Sequence, residues 1–259
     1  MSDLRTLYPD SRYNITSSVT NPYNVIYVYD SAGINSIYPT STGKCCLWTV
    51  PTGATWAKFE VWGGGGPGGG SCCCQQPQQP GGAGSYARKT IRVVPGQQYT
   101  VCAAAPTCCY SACQAPAGYP SYACGNNSNT GITYPLCLCA SGGWGGFSQC
   151  FTVAAGCYHC LTCVCGTTCG ADLSICGTTG ASHNSSCGYD GWTYTPDAPY
   201  LGGGMRTSAD FCAFANAAGI SMSGYASFPG GGGAGANTTG GNCYCGGPGA
   251  PGLVVITYK

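Results

Sequence analysis

The thirteen residues from Cys157 to Cys169, CYHCLTCVCGTTC, hold five cysteines. Two C-x-x-C spacings share Cys160, and a C-x-C follows. Thiolates at such spacings can converge on zinc or an iron–sulfur cluster, which takes four ligands. Cys157, Cys160, Cys163 and Cys165 are the set that would do so. The whole chain, however, carries 23 cysteines, including Cys45-Cys46, Cys72 to Cys74, Cys108-Cys109, the pair Cys137 and Cys139, and the pair Cys243 and Cys245. One metal site uses four and leaves the rest. A disulfide framework uses most of them, with an odd thiol left to stay reduced or to link subunits. Reduced thiols packed as small apolar groups are the third reading. The disulfide framework accounts for the most residues, and no cofactor is expected.

Other chemistry is sparse. There are two histidines, His159 and His183, and no G-x-S-x-G elbow. Glu60 is the only glutamate; it sits in an alternating segment and is expected to face solvent. Asp190 and Asp197 flank a ring-rich loop, where they suit turn capping better than acid–base work. No glycine run is followed by the Lys-Ser/Thr of a phosphate loop, and no G-x-G-x-x-G opens a helix. An enzyme is not expected. Aromatic residues in Ser-, Gly- and Asn-rich sequence are the stronger lead, because that mixture makes adaptable contact surfaces. The residues singled out for receptor or subunit contact are Tyr119, Tyr122, Trp144, Tyr158, Trp192, Tyr194 and Tyr200. The competing reading places these rings in a core or subunit interface.

Composition limits what can position these groups. Of 259 residues, 44 are glycine, about 17 % against roughly 7 % ordinarily. Charged residues make up only 7 % and the net charge is +1. The stretch from Val93 to Ala171 has no Asp, Glu, Lys or Arg at all. Collagen is excluded because glycine has no strict period of three. Simple disorder is excluded because aromatics reach 12 % and charge is scarce. Nothing in the charge balance attracts nucleic acid, and no apolar run approaches the roughly 20 residues that cross a bilayer. No signal peptide is visible at the N-terminus. Abundant cysteine without an export signal fits either intracellular metal binding or a particle released by lysis and oxidised afterwards.

The elements read as β. Asn24 to Tyr29 (NVIYVY) is a candidate strand within a cysteine-free segment, 1–44, which is either a docking arm or the first strand of the main domain. In Thr55 to Trp62, residues Trp56, Lys58, Glu60 and Trp62 face one way and Ala57, Phe59 and Val61 the other. Ser85 to Val94, Gln98 to Ala103 and Leu253 to Tyr258 follow as strands. A cysteine-dense insert at 102–187 holds 15 of the 23 cysteines and is expected to be irregular. Ser208 to Ala218 is the one helical window, with Ser208 as its cap. Glycine runs at 63–66, 68–70, 202–204 and 230–233 read as packed structure or as flexible linker.

Three blocks in order carry a resemblance: W48TVPTGATWAKFEVWGGGGPGGG, GGAGSYARKTIRVVPGQQYTV and the C-terminal GGPGAPGLVVITYK. Together they resemble the glycine-rich domain of bacteriophage tail-fibre and other virion structural proteins. The matching positions are Trp48, Val50, Pro51, Gly53, Val61, Gly63 to Gly66, Tyr86, Val93, Pro95, Gly96, Gly249, Gly252, Val254, Ile256 and Tyr258. The resemblance implies a mostly β fold, a β-sandwich-like (jelly-roll-like) module spanning 45–259. Some phage fibre tips pack polyglycine II helices side by side, and each run here is long enough for one turn. It also implies a structural virion protein, in a tail fibre or appendage, that contacts the host surface. Its partners would be copies of itself (trimers are common for fibres), other virion proteins, and a host surface glycan or protein. A capsid decoration protein and an intracellular metal-binding protein are the alternatives.

Overall fold

A computed structural model of the chain describes residues 24–30, 43–70, 79–108, 115–125, 134–146, 158–160, 168–178, 181–183, 192–194, 206–208, 226, 228–235 and 245–259. The described regular elements are all strands: β1 (Asn24–Tyr29), β2 (Lys44–Thr49), β3 (Trp56–Trp62), β4 (Tyr86–Arg92), β5 (Gln98–Ala103), β6 (Ser121–Gly125), β7 (Leu136–Ala140), β8 (Tyr158–Cys160), β9 (Thr168–Cys169), β10 (Leu173–Ile175), β11 (Ala181–His183), β12 (Trp192–Tyr194), β13 (Arg206–Ser208) and β14 (Leu253–Tyr258). They form two five-stranded sheets, β1-β14-β3-β4-β10 and β2-β5-β6-β7-β9, and a small sheet of three-residue strands, β13-β12-β11-β8. Every pairing is antiparallel. Of the helical window, Ser208 ends β13, and 209–218 lie outside the described residues.

The two large sheets close on one core. Ala57, Phe59 and Val61 of β3 and Val254 and Ile256 of β14 meet Trp48 of β2, Tyr99 and Val101 of β5, and Leu136 and Leu138 of β7. Alternation decides which residues enter it: in β3, Ala57, Phe59 and Val61 are fully covered while Trp56, Lys58 and Glu60 are only partly so. Phe59 lies 5.6 Å from the Trp48 ring, nearly edge-on, and 5.7 Å from Tyr99. Such contacts add about 0.5–1.5 kcal/mol each beyond burial. The β-sandwich expected from the sequence is therefore present. The strand NVIYVY pairs with β14 along its full length, Asn24 against Tyr258 through Tyr29 against Leu253.

The outward side of β3 is also packed. The Trp62 ring packs 4.8 Å from Tyr86, tilted by 52°, and joins Leu253 and Val255 in a second apolar cluster. Glu60 is not a solvent-facing carboxylate. It accepts a 2.7 Å hydrogen bond from the Tyr86 hydroxyl and a 2.7 Å ion pair from Lys58. The ring two residues along the sheet covers it, a neighbour that strand alternation alone does not reveal.

The region 102–187, expected to be irregular, supplies β6 and β7 to the second sheet. In SYACG the covered residues are Ser121, Ala123 and Gly125; in LCLCA they are Leu136, Leu138 and Ala140. The alternation is complete, but cysteine holds outward positions where a polar residue would normally advertise a strand.

The glycine runs pack by backbone. In 63–70, Gly63, Gly66 and Gly69 donate to the carbonyls of Ser85, Gly82 and Gln79, each at 2.9 Å. Gly65 and Gly68 donate to Ala250 and Gly247, also at 2.9 Å. Gly64 donates to Tyr119 and accepts from Gly143. As the donor advances three residues, the partner retreats three. Successive residues thus bond in three different directions to three neighbouring segments, none of them within the run. That is the pattern of a threefold extended helix in a lateral bundle, polyglycine II, which has no internal hydrogen bonds. The same step of three recurs from Gly81 and Gly84 to Gly233 and Gly230, and from Gly82 and Ser85 to Trp144 and Ser141. Segments 63–70, 79–85, 115–119, 141–146, 230–235 and 245–252 belong to this bundle.

Glycine is required there by close approach. A Cβ on Gly65 would fall on the carbonyl of Gly231, and one on Gly68 on the carbonyl of Ala234. Proline fits the same helix through its fixed φ, at the cost of one donor. Pro67 still accepts from Gly146 at 2.7 Å. Side chains tie the bundle to the sandwich: Ala104 N donates to Ser121 Oγ at 2.8 Å, and Gly249 N to Thr107 Oγ1 at 2.8 Å. Among the described residues, no helix is long and apolar enough to cross a membrane.

Candidate functional site: exposed rings beside the glycine bundle

Two of the seven ring residues singled out from sequence lie on neighbouring segments of this bundle. Tyr119 ends the 115–119 segment and Trp144 lies in 141–146. The two segments are neighbours, Gly118 N donating to Gly143 O at 2.7 Å. Gly64 sits between them, its N–H on the Tyr119 carbonyl and its carbonyl on Gly143 N. Trp144 is pinned from its other side by Gly82 N, at 2.7 Å. Both backbones are thus held by lateral hydrogen bonds, while the side chains are 56 % and 51 % exposed. Large exposed rings on an ordered backbone bind without much further loss of conformational freedom.

Tyr122 lies elsewhere, on the outer face of the second sheet. It is 36 % exposed and stands between Cys102 of β5 and Cys139 of β7 in register. Tyr158 falls in β8, and Trp192 and Tyr194 in β12, of the small sheet. Tyr158 lies opposite His183 and Trp192 opposite the same His183 on its other side. Tyr200 lies outside the described residues. Sequence reasoning missed Val25 and Tyr27 of β1 and Leu47 of β2, which are also large and exposed. Their signal was the outward parity of apolar strands, which was read only for β3.

The cysteine set Cys157, Cys160, Cys163 and Cys165 is placed only in part: Cys160 ends β8, and the other three lie outside the described residues. Among the described residues no three His, Cys, Asp or Glu side chains form a group suited to a metal ion. Among the described residues one disulfide is formed, Cys45–Cys102, joining two directly opposed residues of β2 and β5 with Cα atoms 4.0 Å apart. Its neighbour Cys46 stays reduced. Burial pushes the Cys46 thiol above its ordinary range, against the opposing pull of Lys44. Burial likewise raises the Tyr99 hydroxyl, which donates to the Tyr134 carbonyl at 3.0 Å.

Among the described residues, Lys89 and Asp172 hold strands. Lys89 Nζ donates to the Gly170 carbonyl at 2.8 Å, and Asp172 Oδ2 accepts from Thr90 N at 3.0 Å. Both contacts secure the chain between β9 and β10 against β4.

The three sequence blocks lie where this architecture needs them. The first leads β3 into the 63–70 run, the second leads 79–85 into β4, and the third leads 245–252 into β14. A glycine-rich domain family matches residues 40–259, which takes in both large sheets apart from β1, and the whole bundle. The chain belongs to the glycine-rich domain family. Comparison with curated proteins gives no significant match. In this glycine-rich domain the glycines that define the composition are the ones that donate and accept across the bundle, with Tyr119 and Trp144 displayed on it.

Proposed function

We propose that this glycine-rich domain is a structural virion protein of a tailed bacteriophage, a component of a tail fibre or appendage, whose exposed rings contact the host surface. The observation that carries the reading is the exposure of Tyr119 and Trp144 on adjacent segments whose backbone is fixed by lateral hydrogen bonds. A surface of that kind suits a glycan, whose apolar ring faces stack on aromatics while amide and hydroxyl groups meet its oxygens. The three-block resemblance supports the virion setting, as does a cysteine-rich chain in which a cross-link is formed. The partners are other copies of the chain, as a trimer, and neighbouring virion proteins.

Two measurements test this. Mass spectrometry of purified particles should recover the protein at stoichiometric copy number, and its absence from particles refutes the virion role. Binding of labelled protein to host cells should weaken roughly tenfold in Trp144→Ala, the equivalent of about 1.4 kcal/mol. Protein that is present on heads and does not bind cells is a decoration protein with no receptor role.

A further inference from the structure

The outer face of the second sheet carries a patch of thiols that the proposed function does not use. Cys124 of β6 lies directly opposite Cys137 of β7, and Cys139 of β7 directly opposite Cys169 of β9. Because side chains alternate, these four residues share the outer face with Cys45 and Cys102. All four are reduced; Cys137 and Cys169 are exposed, and Cys124 and Cys139 are half-covered.

Backbone hydrogen bonding fixes the kind of site each pair occupies. Val50 N donates to Gln97 O at 2.8 Å, one residue beyond the end of the β2–β5 ladder. Bonded and non-bonded pairs alternate along antiparallel strands. Counting back from Val50 and Gln97 therefore puts Cys45 and Cys102 at a non-bonded pair, where Cα atoms are closest. A residue whose N–H and C=O turn away from one neighbour turns them toward the other. Cys102 is then a bonded pair with Tyr122, Tyr122 a non-bonded pair with Cys139, and Cys124 a non-bonded pair with Cys137. That is the same kind of site in which Cys45–Cys102 is formed. Cys139 and Cys169 are a bonded pair, with Cα atoms about 5.5 Å apart, inside the usual span of a disulfide.

We infer that the oxidised protein carries two further cross-strand disulfides, Cys124–Cys137 and Cys139–Cys169, which extend Cys45–Cys102 into a ladder across the sheet. A diagonal set, Cys137–Cys169 with Cys124–Cys139, would also oxidise all four, but neither of its pairs is directly opposed, whereas both register pairs are. Diagonal neighbours lie about 7–8 Å apart, beyond the usual disulfide span. Oxidised glutathione is a sufficient oxidant. The thiolate of one cysteine attacks its S–S bond, releasing one reduced glutathione and leaving a mixed disulfide; the opposing thiolate then displaces the second glutathione. For each bridge two protein thiols are oxidised and one glutathione disulfide is reduced to two thiols, which take up the two protons. The ladder joins β2 to β5, β6 to β7 and β7 to β9, and leaves only the β5–β6 junction, at Tyr122, without a covalent tie.

The test is a peptide map of the full-length protein after equilibration with oxidised glutathione, alkylation and digestion without reduction. The expected result is Cys124 bridged to the Cys137/Cys139 peptide and Cys169 bridged to the same peptide, with none of the four alkylated. In Cys139→Ser the Cys124–Cys137 bridge should persist and Cys169 should become fully alkylated. In Cys124→Ser the Cys139–Cys169 bridge should persist. Cys124 alkylated in the oxidised wild-type protein, or bridged to any cysteine outside this pair, overturns the inference. So does loss of the Cys169 bridge in Cys124→Ser.

Discussion

The sandwich and the glycine bundle are both densely packed, but different atoms do the packing. Between the sheets, Phe59, Trp48, Tyr99 and Ile256 fill space with side chains, and stability comes from apolar area removed from water. In the bundle, side chains are missing by necessity, and the space is filled by backbone whose N–H and C=O groups bond across segments. Buried peptide groups are costly when unpaired. A bundle of glycine runs is therefore ordered only because each run satisfies its neighbours. The two regions should respond oppositely to the same kind of change: the sandwich fails when atoms are removed, and the bundle fails when atoms are added.

The largest expected effect is on the sandwich. Phe59→Ala should cost about 3–5 kcal/mol in unfolding free energy, measured by denaturant titration, because Phe59 is fully buried against two rings, Trp48 and Tyr99. Next is Gly65→Ala, which adds one methyl where the Gly231 carbonyl already lies. A backbone obstacle cannot rotate away, so the same titration should show a loss of about 3 kcal/mol. Gly96→Ala is the matched control. Gly96 has φ +82° and nothing within 4 Å of an added Cβ, so only backbone strain remains, about 1 kcal/mol. If Gly65→Ala costs no more than Gly96→Ala, the contrast between the two regions is lost.

The smallest effect concerns pH and the thiol face. A hydrogen bond to Cys169, then its charge, then burial and the charge of Cys124 raise the Cys137 thiol above the ordinary 9.0, with Lys89 opposing. Burial, then the charges of Cys169 and Cys137, raise Cys139 above the same value. A thiol whose value is raised on folding holds its proton more tightly when folded. Its contribution is complete below the unfolded value and is lost as pH climbs through the folded one. The reduced protein should therefore show a denaturation midpoint that falls as pH rises past 9, and Cys139→Ser should fall less. An equal fall in the variant would remove the thiols as its cause.

Much of the sandwich was legible because its strands are short runs of apolar and β-branched residues, one of them alternating: NVIYVY, TWAKFEVW and LVVITY all appear as β1, β3 and β14 within a residue of expectation. β6 and β7 were not, because their outward positions hold Cys124, Cys137 and Cys139, which do not register as polar. The bundle was legible only as composition. Glycine has no side chain to carry a period, and the partners of one run are far apart in sequence, Gly63 with Ser85 but Gly65 with Ala250. Tyr119 and Trp144 were chosen for their neighbours in sequence; that they lie on adjacent segments follows from the pairing of Gly118 with Gly143, which no local pattern records. The choice between Cys45 and Cys46 as the bridged thiol turned on strand parity, which the doublet itself does not state.

Amide hydrogen exchange followed by NMR tests the central claim most directly. If the glycine runs are a hydrogen-bonded bundle, the N–H groups of Gly65, Gly68, Gly82 and Gly143 will exchange as slowly as those of Phe59 and Val61 in β3. Exchange of those four glycines at the rate of an unstructured peptide, with β3 protected, would show that the runs are linkers and would contradict the account.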